Sequence, residues 1–404
     1  MKILILNAGS SSQKSCFYDL PPDHLPSQPP EPLWEAMIDW TVHSGQGELT
    51  VKVDHHKQVI ELATDDRQQG IAKMLETLVH GQHSVLGSLK EIDVVGHRVV
   101  HGGIDYHSAT LITPEVKQAI ADLIPLAPAH NPAHLEGIEA IGTLLGTIPQ
   151  IAVFDTAFHR TIPAAAAQYP LPQAWTALGI HRYGFHGTSH KYCAQKAAEI
   201  LGKPLAGLKL ITCHIGNGAS LTAIANGKSI DTTMGFTPLE GLMMGARSGS
   251  IDPAILIYLQ QSHGFTPEQL NKTLNQESGL LGVSGLSADL RATLQAKEEG
   301  NAQAQLAYDI YIHRFQACFG QMLASLGGLD TVVFTAGVGE NAATVRADVC
   351  ARFAFLGLEL DLEKNTRSPQ NAIISTPDSA VTVLIIHTEE DWAIAAECWQ
   401  LQKT

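Results

Sequence analysis

The sequence predicts an α/β fold made of two copies of one unit, with a cleft between the copies. Three observations predict it. Strand-like and helix-like runs alternate along the chain, the pattern of sheets layered with helices. The order strand, Asn-Ala-Gly-Ser-Ser-Ser (7–12), strand returns in the second half as strand, Ile-Gly-Asn-Gly-Ala-Ser (215–220), strand. Asp93-Val94-Val95-Gly96 returns in the same order as Asp330-Thr331-Val332-Val333, an acidic residue feeding a buried strand. The 404 residues fit two to three domains at about 150 residues each. Clefts between domains are preferred ligand sites.

The elements follow in order. Met1–Leu6 begins like a signal peptide, but its apolar run is only Ile3–Leu6 and ends in Asn7-Ala8-Gly9-Ser10. It therefore reads as a buried first strand ending in a turn. Residues 2–6, 14–19, 34–40, 48–53 and 57–62 form a strand series. Pro21–Pro32 holds six prolines and can be neither strand nor helix, so it is an exposed loop between two strands. Residues 66–80 are helical, Glu91–Val100 is a buried strand, Pro114–Leu123 and Asn131–Leu145 are helices, and Ile151–Phe154 is a strand. In the second half, Leu208–Cys213 and Ala219–Ala225 are strands, followed by a favoured hairpin turn at Asn226-Gly227. Helices are expected at 252–261, 286–299 and 301–326, a strand at Thr331–Phe334, and a glycine turn at Gly337-Val338-Gly339 leading into a helix from about Asn341. Val381–Ile386 is the last strand and Glu390–Gln402 the last helix.

Composition narrows the function. Hydrophobic residues make up 45% and charged residues 16%, enough apolar material for sizeable cores, which excludes a disordered chain. Lys+Arg total 26 and Asp+Glu 40, a net charge of −14. Such a chain is a poor general partner for nucleic acid or an anionic membrane. Any anion it binds must be held by a few placed cations and backbone N–H groups. Six scattered cysteines without a C-x-x-C pair exclude a zinc ribbon or disulfide framework and suit a reducing cytoplasm. No apolar stretch reaches the roughly 18 residues of a transmembrane helix.

Several segments carry candidate chemistry. Asn7–Lys14 is a turn with exposed N–H groups, three hydroxyls at Ser10, Ser11 and Ser12, and the point charge of Lys14. It could hold a phosphate or be an ordinary Gly-Ser hairpin turn, and it lacks the Walker spacing. His214-Ile215-Gly216-Asn217-Gly218-Ala219-Ser220 allows close backbone approach to a ligand. Thr335-Ala336-Gly337-Val338-Gly339-Glu340-Asn341 is either a plain strand-to-helix turn or a phosphate or adenosine site. Arg98 and Arg247 sit in glycine-rich, otherwise apolar sequence, which favours anion clamps over solvated surface arginines. His181, His186 and His190 fit no tight zinc pattern apart from the last pair, and donation to phosphoryl oxygens reads better. Asp155 ends an apolar strand, a common catalytic place, although it could be a helix N-cap.

Taken together these segments resemble the acetokinase family, within the actin/Hsp70/sugar-kinase superfamily. Ile3–Lys14 is similar to its first signature and Arg182–Tyr192 to its second, and the likeness runs in order from residue 3 to about 395. The resemblance implies two domains of βββαβαβα type: 1–155 with 386–404, carrying the acid site and first phosphate loop, and 156–385, binding nucleotide. It implies ATP/ADP and Mg²⁺, with Mn²⁺ a possible substitute, and the reaction acetate + ATP ⇌ acetyl phosphate + ADP in a cytoplasmic homodimer. By the same likeness the ATP phosphates lie near Ser12, Lys14, His214, Ile215, Gly216, Asn217 and Gly218. The adenosine lies near Gly337, Val338, Gly339, Glu340 and Asn341, with Asp289, Leu290 and Arg291 also at the nucleotide. Arg98 and Arg247 hold the carboxylate and the phosphoryl group, His186 steadies that group and Asp155 orients the reacting groups or the magnesium shell. Val100, His130, Phe185 and Pro238 line the acid, and Asn7 and Glu390 position Mg²⁺.

Acetate is already ionised at neutral pH, so no strong base is required. The work is to bring two anions together and neutralise charge. Two departures from the family pattern stand out. Ala129 precedes His130 where Leu is common, which would widen a methyl pocket and admit propionate better. Thr388-Glu389-Glu390-Asp391 replaces the commoner Asn-Glu-Glu, so Glu390 is chosen over Glu389 by the helix that follows.

Overall fold

The computed structural model describes residues 1–9, 12–43, 45–128 and 130–403. The chain forms two units, Met1–Ala157 with Glu389–Thr404, and Phe158–Thr388. The first unit holds β1 (Lys2–Ala8), β2 (Ser12–Asp19), β3 (Trp34–His43), β4 (Gln46–Val53), β5 (His56–Leu62), β6 (Val94–Val99), β7 (Thr110–Leu111) and β8 (Gln150–Phe154). They form one sheet in the order β5-β4-β3-β2-β1-β6-β8-β7. β1 through β5 pair antiparallel in sequence, whereas β1, β6 and β8 are parallel.

β1 is buried along its apolar run because both faces of the sheet are covered. Leu4 and Leu6 pack with Phe17, Trp34, Met74 and Ile141 under the helices Arg67–Val79 and Asn131–Leu145. Ile5 points the other way, toward the last helix, Glu390–Leu401. A Cβ built on Gly96 would lie 2.6 Å from Cys398 Sγ and 2.8 Å from Ile5 Cδ1, so only glycine lets that helix lie flat on the sheet.

The second unit holds β9 (Lys209–Ile215), β10 (Ala219–Ala225), β11 (Lys228–Thr232), β12 (Thr331–Thr335), β13 (Ala372–Ile373) and β14 (Thr382–Ile385), in the order β11-β10-β9-β12-β14-β13. The duplication is explicit here. β3-β2-β1-β6-β8 and β11-β10-β9-β12-β14 share one order and one pattern, three antiparallel strands followed by two parallel ones. The helix after β8, Gly187–Leu201, packs on β9 and β12 through Cys193, Ala194 and Ala197. The helix after β14, Glu390–Leu401, packs on β1 and β6. Each repeat thus ends in a helix that belongs to the other unit.

The structure departs from the sequence expectation in several places, an unexpected helix at Pro267–Gln276 among them. Leu89–Glu91 is a 3₁₀ turn closed by a Ser88/Glu91 capping box, so the strand expected from Glu91 begins at Val94. The helix Gly187–Leu201 was not anticipated, because its first turn is polar and histidine-rich. A short helix, Gly279–Ser284, lies ahead of the one expected over 286–299, which is itself cut back to Leu290–Glu298. Gly285 ends the first at φ +69° and Asp289 caps the second. The glycine turn at 337–339 is itself helical, within Ala336–Asn341. The buried Arg346 donates to the carbonyls of Gly339 and Glu340, each at 2.8 Å, and so satisfies the end of that short helix.

Candidate active site

Asn7, Arg98 and Asp155 stand at the carboxyl ends of the adjacent parallel strands β1, β6 and β8, where ligands bind in open α/β sheets. Arg98 Nε donates to Asp155 Oδ1 and Oδ2 at 3.1 and 3.2 Å, and Nη2 donates to Oδ2 at 2.7 Å. Arg98 Nη1 donates to Asn7 Oδ1 at 3.3 Å. Asn7 Nδ2 in turn donates to Oδ1 of Asp391, in the first turn of the last helix, at 2.9 Å. Burial disfavours the Arg98 charge, but the carboxylates of Asp155 and Glu390 outweigh it and hold the guanidinium above its ordinary pKa. Burial pushes the Asp155 carboxyl up, against the pull of Arg98. The donors to the Asp155 carboxylate among the described residues are thus those of Arg98.

Gly9 N–H donates to the Ser12 carbonyl at 2.7 Å, and Lys14 lies opposite Asn7 in register. His134 Nε2 donates to the Ala8 carbonyl at 3.1 Å, and burial keeps its pKa well below the ordinary value, so the ring is neutral. His130 precedes the helix Asn131–Leu145, and Val100 is buried just beyond β6. Ser10, Ser11 and Ala129, and with Ala129 the expected wider methyl pocket, lie outside the described residues.

In the second unit, β9 and β10 meet at the Gly216–Gly218 turn, closed by Gly216 N–H donating to the Gly218 carbonyl at 3.0 Å. His186 caps the helix Gly187–Leu201 in a left-handed conformation, φ 57°, reached through Gly184 at φ 75°. A Cβ on Gly184 would also strike the His159 ring at 2.6 Å. His159 Nε2 donates to the Phe185 carbonyl at 2.8 Å, which fixes the backbone leading to His186. The rings of His186 and His214 stack at 4.2 Å and 20°. A Cβ placed on Gly218 would lie 3.4 Å from His186 Nε2 and 3.5 Å from Arg247 Nη1, so both groups reach the turn. Arg247 is held by Nη1 donating to the Pro238 carbonyl at 3.1 Å. Its loop is pinned by backbone bonds from Ser278 to Ala246 and from Leu281 to Gly245. Burial lowers the Arg247 pKa, and among the described residues no carboxylate pairs with it. A half-buried cation with no carboxylate partner among the described residues, beside a glycine turn and two imidazoles, is arranged to receive an anion.

Of the remaining assigned residues, Asp289, Arg291 and Asn341 bond within their own segments, whereas Glu340 reaches His387. Asp289 accepts from Arg291 N–H at 2.9 Å as a helix cap and pairs with the exposed Arg291 side chain, while Leu290 is buried. Glu340 accepts from or pairs with His387 Nδ1 at 2.8 Å, and Asn341 Nδ2 donates to the Gly337 carbonyl at 2.8 Å. Of the histidines at 181, 186 and 190, the last two converge and the first stands apart. His181 Nδ1 lies 3.0 Å from the Arg182 carbonyl, while His186 and His190 both contact Ser220. Among the described residues no group of three or more His, Cys, Asp or Glu side chains could cage a metal. The sequence reading gave no role to Asp391, Ser189, Thr212 or Ser220. The antiparallel register that puts Ser220 opposite His214 was the missing signal.

Comparison with known proteins places the chain in context. The profile of the acetokinase family matches residues 2–396. An acetate kinase of Synechocystis sp. is 77% identical over 401 residues, covering 99% of this chain and 97% of the relative. The crystal structure of Porphyromonas gingivalis acetate kinase superposes with a TM-score of 0.89 at 40% identity, covering 99% of each chain. A propionate kinase from Francisella tularensis superposes with a TM-score of 0.88 at 38% identity, covering 98% of each.

Proposed function

The chain belongs to the acetokinase family, and from that premise we propose that it transfers the γ-phosphoryl group of ATP to acetate, reversibly and by direct in-line attack. The observation that carries this reading is the half-buried Arg247 at the Gly216–Gly218 turn, with which no carboxylate among the described residues pairs. An acetate oxygen forms the new bond to the γ-phosphorus as the bond to the β,γ-bridging oxygen breaks, and ADP leaves with that electron pair. No proton has to move, so the chain needs no general base. Its task is to neutralise charge on the phosphoryl oxygens in flight. Arg247 and His186 do this in the second unit, with the N–H groups of His214–Gly218 on the phosphates. Arg98 holds the acetate carboxylate. Asp155 acts through Arg98 as a positioning residue.

Magnesium takes hard oxygen ligands and commonly uses one or two carboxylates together with substrate phosphates. The Asn7 side chain, Glu390 and Asp391 form such a donor set, and Asn7 is bonded to Asp391. When bound, the ion would draw charge from the phosphate oxygens. Gly337–Asn341 and Asp289–Arg291 are assigned to the adenosine. The helix Ala254–His263 buries none of its residues and exposes Ile255, Ile257 and Tyr258, which supports a homodimer. Six free, buried cysteines support a reducing cytoplasm.

Two measurements test this reading. With MgATP and acetate, hydroxylamine should trap acetyl hydroxamate in proportion to enzyme; ATP consumption without hydroxamate would refute the acceptor assignment. With a chiral γ-phosphate, the product should show inverted configuration at phosphorus. Net retention would mean two displacements through a phosphorylated side chain such as Asp155.

A further inference from the structure

Behind His186 runs a chain of polar contacts that the proposed reaction does not use directly. His186 Nδ1 lies 2.8 Å from Ser220 Oγ, and the same oxygen lies 2.8 Å from His190 Nε2. His190 Nδ1 lies 2.7 Å from Thr212 Oγ1. Ser220, Thr212 and His190 are fully buried, all at 0% exposure, so water does not compete for these contacts. Were both rings to donate to Ser220 Oγ, the buried serine proton would have no acceptor among the described residues; with both rings neutral, two directions of donation along the line remain.

In one direction, His186 Nδ1–H donates to Ser220, Ser220 O–H to His190 Nε2, and His190 Nδ1–H to Thr212. The Thr212 hydroxyl proton then has nowhere to go, because among the described residues His190 Nδ1 is the sole hydrogen-bond partner of that oxygen. A fully buried donor without an acceptor is disfavoured. In the other direction, Thr212 O–H donates to His190 Nδ1, His190 Nε2–H to Ser220, and Ser220 O–H to His186 Nδ1. Every buried proton is then used, and the proton of His186 is left on Nε2, the atom that reaches Gly218.

We propose that Thr212, His190 and Ser220 are positioning residues that lock His186 as the neutral Nε2–H tautomer, a directed hydrogen-bond donor to the phosphoryl oxygens at the Gly216–Gly218 turn. Burial lowers the pKa of His190 well below the ordinary histidine value, so the chain is not broken by protonation at its centre. The neighbouring ring follows the same logic. Thr388 Oγ1 donates to Ser189 Oγ at 3.0 Å, and Ser189 Oγ lies 2.8 Å from His214 Nδ1, the acceptor left for the buried serine proton among the described residues, so His214 also carries its proton on Nε2. Two stacked rings 4.2 Å apart would repel if both were imidazolium; two neutral donors avoid that cost.

The phosphoryl part of this proposal rests on the function proposed above, but the tautomer does not. The full chain labelled with ¹⁵N-histidine is compared by two-bond ¹H–¹⁵N correlation in wild type and in Thr212→Val, Thr212→Ser and Ser220→Ala, with His186 assigned by its loss in His186→Gln. Wild type and Thr212→Ser should show His186 protonated on Nε2, while Thr212→Val and Ser220→Ala should lose that preference. In the hydroxamate assay Thr212→Val and Ser220→Ala should lower kcat roughly tenfold to a hundredfold, with KM for MgATP and acetate within about threefold, and Thr212→Ser should restore kcat. A wild-type His186 protonated on Nδ1, or a tautomer unmoved by Thr212→Val and Ser220→Ala, would overturn the relay. A chain that makes no acetyl phosphate yet shows the tautomer pattern would refute the proposed reaction while supporting the relay.

Discussion

Replacing Arg247 with alanine should lower kcat/KM at least about a hundredfold while leaving the fold intact. A lost donor to developing phosphoryl charge costs roughly 3 kcal/mol, which is a factor of about a hundred or more. Stability should not follow activity, and the reason lies in the partners. Arg247 donates to one carbonyl, that of Pro238, and among the described residues it neutralises no carboxylate. Removing it therefore strands no buried anion and relieves a charge that burial already disfavours. The loop that carries it is held by backbone bonds from Ser278 and Leu281, which the substitution leaves in place. Hydroxamate kinetics beside thermal unfolding make the check. A variant with near-normal turnover would remove Arg247 from the site, and one with a Tm lowered by more than a few degrees would mean that the residue is structural.

Much of the fold was legible because its strands are apolar, short and punctuated. β1 ends in Asn7-Ala8-Gly9, and β9 ends in a turn with two glycines. Those echoes marked the duplication that the two sheets share. Legibility failed where local chemistry is silent about tertiary context. Gly187–Leu201 begins Gly-Thr-Ser-His, a poor helical start, and is held by Cys193, Ala194 and Ala197 packing on the second sheet. Gly337 and Gly339 signal a turn by composition, yet they are helical because Arg346 and Asn341 satisfy the carbonyls around them.

The site divides along the same line. Arg98, Asp155 and Arg247 were legible as charged residues in apolar or glycine-rich surroundings, an arrangement a sequence displays directly. Asp391 was not, because three acids in a row, Glu389-Glu390-Asp391, give no hint which one faces Asn7; that is decided by how the last helix lies across β1 and β6. Ser220 and Thr212 were hidden for a plainer reason. Hydroxyls on buried strands are common, and what distinguishes these two is a pair of imidazole rings brought to them by the first turn of the preceding helix and the residue before it.

Arg98→Ala should behave quite differently from Arg247→Ala, although both remove one arginine from the proposed site. Arg98 is bonded through Nε and Nη2 to an Asp155 that is 1% exposed. Breaking such a pair from one side leaves an uncompensated buried carboxylate, at a cost of about 3 kcal/mol or more. Arg98→Ala should therefore lose turnover by at least about a hundredfold and also lower the urea midpoint. The pH dependence gives the cause. Burial already pushes Asp155 upward and Arg98 opposes it, so without the guanidinium the folded-state pKa rises further above its value in the unfolded chain. A carboxyl shifted upward favours the folded state below its unfolded pKa and loses that contribution as pH rises through the folded pKa. The stability deficit of Arg98→Ala should accordingly be largest at neutral pH and shrink on acidification. In the double variant Arg98→Ala/Asp155→Ala, with the buried Asp155 charge no longer there to strand, much of the deficit should disappear at every pH while activity stays lost. A deficit that is independent of pH, or one that the second substitution deepens, would mean that Arg98 stabilises the unit by packing and that the pair with Asp155 is incidental.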